Sequence, residues 1–281
     1  MQMDETHAKL ERLRLILREM SGALIAYSGG VDSTFLLKVA AQALAADRVL
    51  AVTASAETYP AQELEAATAL AQQLGVRHQV IATSELGIPG FSDNPPNRCY
   101  YCKQELFSKL LQVARERGLD WVCDGSNRDD EGDWRPGMEA ARELGVRSPL
   151  QEAGLTKSEI RALSRELGLP TWDKPSYACL ASRFPYGQRI TAEELVKVDA
   201  AESFLRGLGF RQVRVRHHGE IARLEVAPEE LDRLLDPALR EQVVQRLMEL
   251  GYSYVAADLR GYRSGSMNEP LAGQAQGGMG S

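Results

Sequence analysis

Residues 23–33, Ala-Leu-Ile-Ala-Tyr-Ser-Gly-Gly-Val-Asp-Ser, constrain the fold more than any other stretch of the chain. An apolar run ends in Ser28-Gly29-Gly30, and a helical pattern running from Asp32 to Ala41 begins at once. The chain must therefore pass from strand through a tight glycine turn into a helix N-terminus. Two glycines let a ligand approach the backbone closely. The first-turn N–H groups and the helix dipole then make an anion site. Ser28 and Ser33 add hydroxyl donors. Asp32 would repel a bare phosphate, so its presence implies a bridging Mg2+. No Gly-Lys-Ser/Thr follows, which excludes a Walker A loop.

Around this turn, strand and helix patterns alternate. A leading amphipathic helix over 8–20 precedes strand 23–27, helix 32–46, strand 49–53 and helix 60–74. Strand 77–82, helix 103–117 and strand 120–124 follow. Such alternation predicts an α/β fold, a parallel sheet covered by helices on both faces, with ligands outside the carboxyl ends of the strands. Those ends carry Ser28–Gly30, Thr53–Ser55, the loop after Ile81, and Asp124-Gly-Ser-Asn127. Capping boxes at Thr156–Glu159 and Thr191–Glu194 open helices to about Gly168 and over 192–208, and 170–189 between them reads as a loop. Strands 213–216 and 221–226, a helical stretch 228–249 split by Pro237, and a strand at 252–256 complete a smaller α+β unit. The division is placed at 187/188, giving units 1–187 and 188–270. The glycine-rich end, 271–281, has nothing to bury and is expected to be disordered.

The net charge is −6, from 33 basic and 39 acidic side chains, so the chain has no global electrostatic footprint for nucleic acid. That favours a small-molecule substrate. No apolar run approaches the roughly 20 residues that span a bilayer, and the N-terminus lacks the basic and apolar regions of a secretion signal. A cytoplasmic protein without membrane contact is expected.

The cysteines form the next constellation. Cys99 and Cys102 are a C-x2-C pair placed in the loop before helix 103–117, and Cys179 lies in the 170–189 loop. Cys123, inside an apolar strand, reads as core. Three thiols suit a 4Fe-4S cluster with one open iron, a zinc ion, or redox chemistry. No histidine or fourth cysteine is placed to complete a structural zinc set. A second constellation is Arg183 with Arg214 and Arg216, the last two alternating with valines on one strand face. Two guanidinium forks on one face suit a phosphate or carboxylate ligand, with Glu202 and Glu225 placed to pair with them or hold a metal. The same alternation is also that of a solvated, salt-bridged face. His217 and His218 are adjacent on a strand and point to opposite faces, which argues against a shared site.

The turn Ser28-Gly-Gly-Val-Asp-Ser33 resembles the pyrophosphate loop of the N-type ATP pyrophosphatases, which implies cleavage of ATP between its α and β phosphates. A wider set of stretches resembles the LarE family of sulfur transferases, which build the nickel-pincer cofactor of lactate racemase. They are Asp124-Gly125, Asp133–Gly137, Ser182-Arg-Phe-Pro-Tyr-Gly187, Val213–Arg216 with Ile221–Glu225, and Gly261–Asn268. The resemblance implies that ATP and Mg2+ adenylate the carboxylates of pyridinium-3,5-biscarboxylic acid mononucleotide, and that sulfur then displaces AMP. It implies Asp32 at the metal-bound pyrophosphate, with Ser28, Gly29, Gly30, Ser33, Ser55, Asp124 and Asn127 at the nucleotide; the last two also fit a plain turn. Cys99, Cys102 and Cys179 would hold the 4Fe-4S cluster, and in relatives without one a single cysteine matching Cys179 is sacrificed. Arg214 and Arg216 would take the substrate's phosphate or carboxylates and Arg183 would lie beside the sulfur site. Glu202 and Glu225 would be acidic site residues, Glu225 a candidate metal ligand. The family also implies a sulfide donor, contact with the nickel-inserting protein of the pathway, and homo-oligomers, hexamers among them, with the smaller unit serving substrate and assembly. A tRNA thiolase, a nucleotide sensor without chemistry and an ammonia-using synthetase are the competing readings.

Overall fold

The computed structural model describes residues 2–131, 136–175, 178–263 and 266. The stretches 133–135, 264–265 and 267–268 of the family-like motifs, Tyr177 and the tail 271–281 lie outside the described residues. Backbone contacts divide the chain into two compact units, one of residues 1–91 and 96–177, the other of 92–95 and 178–281. The second unit thus begins ten residues before the 187/188 division. Its start is tied down locally. Asn94 Nδ2 donates to the carbonyls of Phe184 (3.2 Å) and Pro185 (2.7 Å), and Ile190 N donates to Ser92 O at 2.8 Å.

The first unit runs α1 (Gln2–Arg18), β1 (Ala23–Ala26), α2 (Val31–Ala43), β2 (Val49–Ser55), α3 (Ala61–Gln73) and β3 (Arg77–Ala82). Then come α4 (Arg98–Glu116), β4 (Trp121–Cys123), α5 (Pro136–Glu143), α6 (Pro149–Glu152) and α7 (Lys157–Glu166). The four strands form a parallel sheet in the order β3-β2-β1-β4. β1 shows why its sequence is uniformly apolar. Ala23 and Ile25 face a core built with Leu13, Leu17 and Phe35, while Leu24 faces the opposite core of Leu50, Phe107 and Leu110. A strand buried on both faces has no polar side to alternate with. Because all four strands run parallel, the strand ends that carry Ser28–Gly30, Thr53–Ser55 and Asp124–Asn127 lie along one edge of the sheet.

Two local expectations change. Helix α4 begins at Arg98, directly after Pro95-Pro96-Asn97, so Cys99 and Cys102 lie in its first turns and not in a preceding loop. Once the Phe107, Leu110 and Ala114 face is packed, adding a residue at the N-terminus costs little, and the helix propagates back to the prolines. α5 and α6 form where the sequence pattern predicts no element. α5 buries only Ala140 and Ala141, too thin an apolar stripe for periodicity to register.

The second unit comprises α8 (Ala192–Gly207), β5 (Val213–His218), β6 (Ile221–Val226), α9 (Leu231–Leu234), α10 (Pro237–Glu249) and β7 (Tyr254–Ala257). β5 and β6 are antiparallel and β7 adds parallel to β6. Val213, Val215, Ala222, Leu224 and Val226 face a core with Leu205, Phe210, Val243 and Leu247. Pro237 breaks the helical stretch as expected, and the Asp236 carboxylate caps the new helix at Ala238 N and Leu239 N. Among the described residues no helix is long and apolar enough to cross a membrane.

Candidate functional site

The glycine turn has the backbone form that suits an anion, and it is braced from behind. Gly29 has φ +62°, and a Cβ there would sit 2.8 Å from Ala67 Cβ of α3, so both conformation and space require glycine. Gly30 occupies the N-cap of α2 and has no side chain with which to cap it, leaving the helix start to a ligand. Ser28 and Ser33 converge at the mouth, their Oγ atoms 3.1 Å apart. The carbonyls of the turn are held from behind. Tyr59 OH donates to Ser28 O at 2.8 Å, and Lys174 Nζ donates to Gly29 O at 3.1 Å while pairing with Glu63 at 2.7 Å. Because the peptide is planar, fixing Ser28 O also aims the Gly29 N–H the opposite way.

Asp32, in the first turn of α2, is half-buried and pairs with Lys157 Nζ. Asn127 Nδ2 reaches Asp32 Oδ1 at 3.5 Å. Lys157 is the first helical residue after the Thr156 cap, and its N–H donates to Asp129 Oδ2 at 2.8 Å. So the sheet's carboxyl edge brings together Ser28, Gly29, Gly30, Asp32, Ser33 and Asn127. Asp124 turns elsewhere. Its carboxylate accepts Ser126 N (3.1 Å), Ser126 Oγ (2.8 Å) and Ser148 Oγ (2.7 Å), bracing the strand end beside a cavity of about 360 Å³ that Arg142 and Arg147 also line. Ser55 closes β2, its carbonyl accepting Thr83 N at 2.9 Å.

Cys99 is exposed and Cys102 half-buried, one helical turn apart on one face of α4. Cys102 Sγ donates to Glu85 Oε1 at 3.1 Å, and Thr58 Oγ1 donates to Glu85 Oε2. Burial pushes the Glu85 carboxyl above the usual carboxylate range, against the thiol hydrogen bond and together with the nearby Glu57 charge. Cys123 is fully buried, 3.7 Å from Met20 Sδ, and burial pushes its thiol far up, so it stays protonated core as expected. Cys179, in the second unit, is exposed at the N-cap of the turn Leu180–Arg183. Among the described residues, no three His, Cys, Asp or Glu side chains are gathered as a metal set. By donor type, the unbridged thiols of Cys99 and Cys102 in the first unit, and of Cys179 in the second, are each of the kind that ligates iron in iron–sulfur groups.

Arg183, Arg214 and Arg216 of the second unit are buried. Arg183, fully enclosed, meets Glu202 in bidentate fashion (Nε–Oε1 2.7 Å, Nη2–Oε2 2.9 Å), while its Nη1 donates to Ala178 O, Cys179 O and Ser182 Oγ. Glu202 also accepts from Arg206 Nη2 (2.8 Å) and Val215 N (3.0 Å). Burial alone would raise the Glu202 carboxyl. The guanidinium of Arg183, with those of Arg214 and Arg206, holds it below the usual range instead.

Arg214 and Arg216 are 3% and 4% exposed, which excludes a solvated face. Arg216 donates to Ser182 O (2.8 Å), Glu225 Oε2 (2.7 Å) and Ser266 Oγ (3.0 Å). Glu225, the candidate metal ligand, is fully buried between Arg216 and Arg223, whose Nη1 lies 3.1 Å from Oε1. Arg214 donates to Val213 O and stacks on Tyr262, its Cζ 5.1 Å from the ring centre. Burial, with the Arg183 charge nearby, lowers its pKa to about 10. His217 faces inward to Tyr252 OH (3.2 Å) and His218 outward to Arg223, on opposite faces as expected.

Sequence reasoning missed Tyr59, Glu85, Lys157 and Lys174. Only Lys157 carried a local signal, since its capping box fixes it at a helix start beside the sheet's ligand edge.

The NAD synthase family matches residues 10–88, the span of the glycine turn. An uncharacterized protein of Synechocystis is 47% identical over 94% of this chain and 98% of its own length. The pyridinium-3,5-bisthiocarboxylic acid mononucleotide synthase of Lactiplantibacillus plantarum is 41% identical over 91% of this chain and 92% of its own. An uncharacterized protein of Methanocaldococcus jannaschii is 29% identical over 91% and 98% respectively.

Proposed function

The chain belongs to the family of the pyridinium-3,5-bisthiocarboxylic acid mononucleotide synthases, the LarE sulfur transferases, and from that premise we propose that it thiolates pyridinium-3,5-biscarboxylic acid mononucleotide for the nickel-pincer cofactor of lactate racemase. It is an ATP-using sulfurtransferase with an N-type pyrophosphatase unit. A substrate carboxylate oxygen attacks the α-phosphorus of ATP and pyrophosphate leaves. Hydrosulfide then attacks the acyl carbon, AMP leaves, and one proton is released. A second round converts the other carboxylate. No redox change occurs in either step.

The braced glycine turn carries this reading. Its N–H groups with Ser28 and Ser33 take the leaving pyrophosphate, where charge develops as the Pα–O bond breaks. Asp32 is the residue that would hold Mg2+, and Asn127 orients its carboxylate. Lys157, which neutralises Asp32, would be free to contact phosphate if a divalent ion took its place. Ser55 and Asp124 stand at the nucleotide's strand ends, Asp124 by bracing its loop. Cys99, Cys102 and Cys179 are the residues that would hold a 4Fe-4S cluster, which would supply an open iron for sulfide from a separate donor. Arg214 and Arg216 take the substrate's phosphate or carboxylates, charge-assisted contacts in a water-poor site. Glu202 and Glu225 balance these arginines, and Arg183 fixes the Cys179 carbonyl. The working form is a homo-oligomer, and handover to the nickel-inserting protein follows.

Anaerobic incubation with ATP, Mg2+, sulfide and the biscarboxylate nucleotide should yield AMP and pyrophosphate in step with thiocarboxylate, read by mass spectrometry. Pyrophosphate release that ignores the nucleotide substrate would refute the assignment. The exposure of Cys179 favours one second reading, in which that cysteine gives up its sulfur. A chain lighter by one molecule of hydrogen sulfide after a single turnover, with no iron bound, would select it.

A further inference from the structure

The motif beginning at Gly261 takes no part in the reaction, yet the fold secures its described residues 261–263 and 266 against the arginine face. Asp258 N donates to Leu224 O at 2.9 Å and Tyr262 N to Val226 O at 2.7 Å, so the segment after β7 follows β6. Gly261 has φ +68°, and a Cβ there would lie 2.8 Å from Val226 O and 3.2 Å from Pro228. Only glycine lets the chain approach this closely. Asp258 is clamped by Arg223 and by Arg263 Nη1 (3.4 Å), and Arg216 donates to Ser266 Oγ. These contacts place the half-exposed Tyr262 ring beside Arg214.

The substrate poses an electrostatic problem at this face. Its phosphate and carboxylates suit arginines, but its ring is a flat cation, and Arg183, Arg214 and Arg216 would repel it. A π face attracts such a cation through the ring quadrupole. The Arg214 guanidinium, itself a planar cation stacked on Tyr262, marks where that attraction acts.

We propose that Tyr262 is the platform on which the pyridinium ring of the substrate stacks, and that it separates this nucleotide from phosphate ligands lacking a cationic ring. The proposal rests on the substrate reading above. When the substrate's anionic groups draw Arg214 into charge-assisted hydrogen bonds, the ring face it covers passes to the pyridinium. Tyr254, the other aromatic of this sheet face, is paired in register with Ile221 at the far end from the Arg214–Glu225 pair and takes no part.

The test is calorimetric titration of the full chain with two probes, the biscarboxylate pyridinium nucleotide and ribose 5-phosphate. Tyr262→Leu should weaken the pyridinium nucleotide about tenfold, the loss of a desolvated cation–π contact. It should leave ribose 5-phosphate unchanged. Tyr262→Phe should restore most of the affinity and Tyr254→Leu should change nothing. A readout independent of variant folding is the wild-type preference for the pyridinium nucleotide over its neutral benzene-ring analogue, expected at fivefold or more. Equal affinity for those two ligands, or equal loss of both probes in Tyr262→Leu, overturns the stacking role. A wild-type chain that binds no pyridinium nucleotide overturns the substrate reading itself.

Discussion

Replacing Glu202 by Gln leaves the volume of the site unchanged and removes one charge, which isolates what the buried ion pair contributes. In the wild type four hydrogen bonds converge on this carboxylate, from Arg183 Nε and Nη2, Arg206 Nη2 and Val215 N. A glutamine oxygen can keep two of them. Its amide then faces the remaining guanidinium donors with donors of its own, and Arg183 stays fully buried without a counter-ion. Leaving one member of a buried pair uncompensated costs about 3–5 kcal/mol. At about 4 °C per kcal/mol, the second unit should melt about 12–20 °C lower by calorimetry. The sign of the pH dependence follows from the depressed Glu202 carboxyl. Its stabilisation is complete above the unfolded value near 4.3 and is lost as pH falls through the lower folded value, so the Gln variant should lack that acid-side loss. Arg183→Met with Glu202→Leu should recover part of the stability, since an apolar pair carries no desolvation debt. Because Arg183 also holds the carbonyls of Ala178 and Cys179, thiocarboxylate formation should fall more than pyrophosphate release. A Gln variant melting within about 4 °C of wild type, or a double variant as unstable as the two singles summed, would refute this account.

Gly29→Ala forces a positive φ on an L side chain and a 2.8 Å approach to Ala67. We expect a loss of about 2–5 kcal/mol by urea unfolding, summed from left-handed strain and overpacking, with ATP binding abolished. Lys174→Ala releases the Gly29 carbonyl and leaves Glu63 unpaired, so the KM for ATP should rise about tenfold with kcat less affected. An unchanged KM would show that the brace is dispensable. Cys99→Ala should remove iron and acid-labile sulfide from anaerobically reconstituted protein, whereas Cys123→Ala, in the core, should keep both and lose stability only.

What the sequence reveals is what is local. The strand, turn and helix around Ser28–Ser33 are encoded by adjacent residues, and the alternation that orders the sheet is encoded by periodicity within each element. The contacts that convert the turn into a rigid cradle are not local. Tyr59 lies 31 positions from Ser28, Lys157 125 from Asp32, and Lys174 145 from Gly29. Val213-Arg-Val-Arg216 gives the shared face of its two arginines correctly but not their burial, because alternation is the same whether the polar side meets water or other protein. The C-x2-C pair departs from its expected loop for a related reason. Arg98-Cys-Tyr-Tyr-Cys has weak helix propensity, and only the packing of Phe107, Leu110 and Ala114 further along draws it into α4.

A substrate role for the arginine cluster would come at a cost to the fold. Among the described residues of the second unit, the fully buried side chains with full charges are Arg183, Arg214 and Arg216 against Glu202 and Glu225, an excess of one positive charge. The strain falls on Arg214, whose pKa is lowered to about 10 from 12.5. That shift corresponds to about 3 kcal/mol disfavouring its charged form in the fold, a penalty present throughout the neutral range because the group stays protonated there. Arg214→Met keeps much of the stem's packing and removes the penalty, at the expense of about 1–2 kcal/mol for the hydrogen bonds its guanidinium makes. The ligand-free variant should therefore be at least as stable as wild type, although a buried polar residue has been deleted. Wild type should overtake it once a phosphate-bearing ligand is added, since a ligand at a hundred times its Kd contributes about 2.7 kcal/mol. The crossing of the two melting curves with ligand is the informative result. A variant less stable than wild type by more than about 2 kcal/mol without ligand would mean that Arg214 is a structural residue and that its charge is not held in reserve for a substrate.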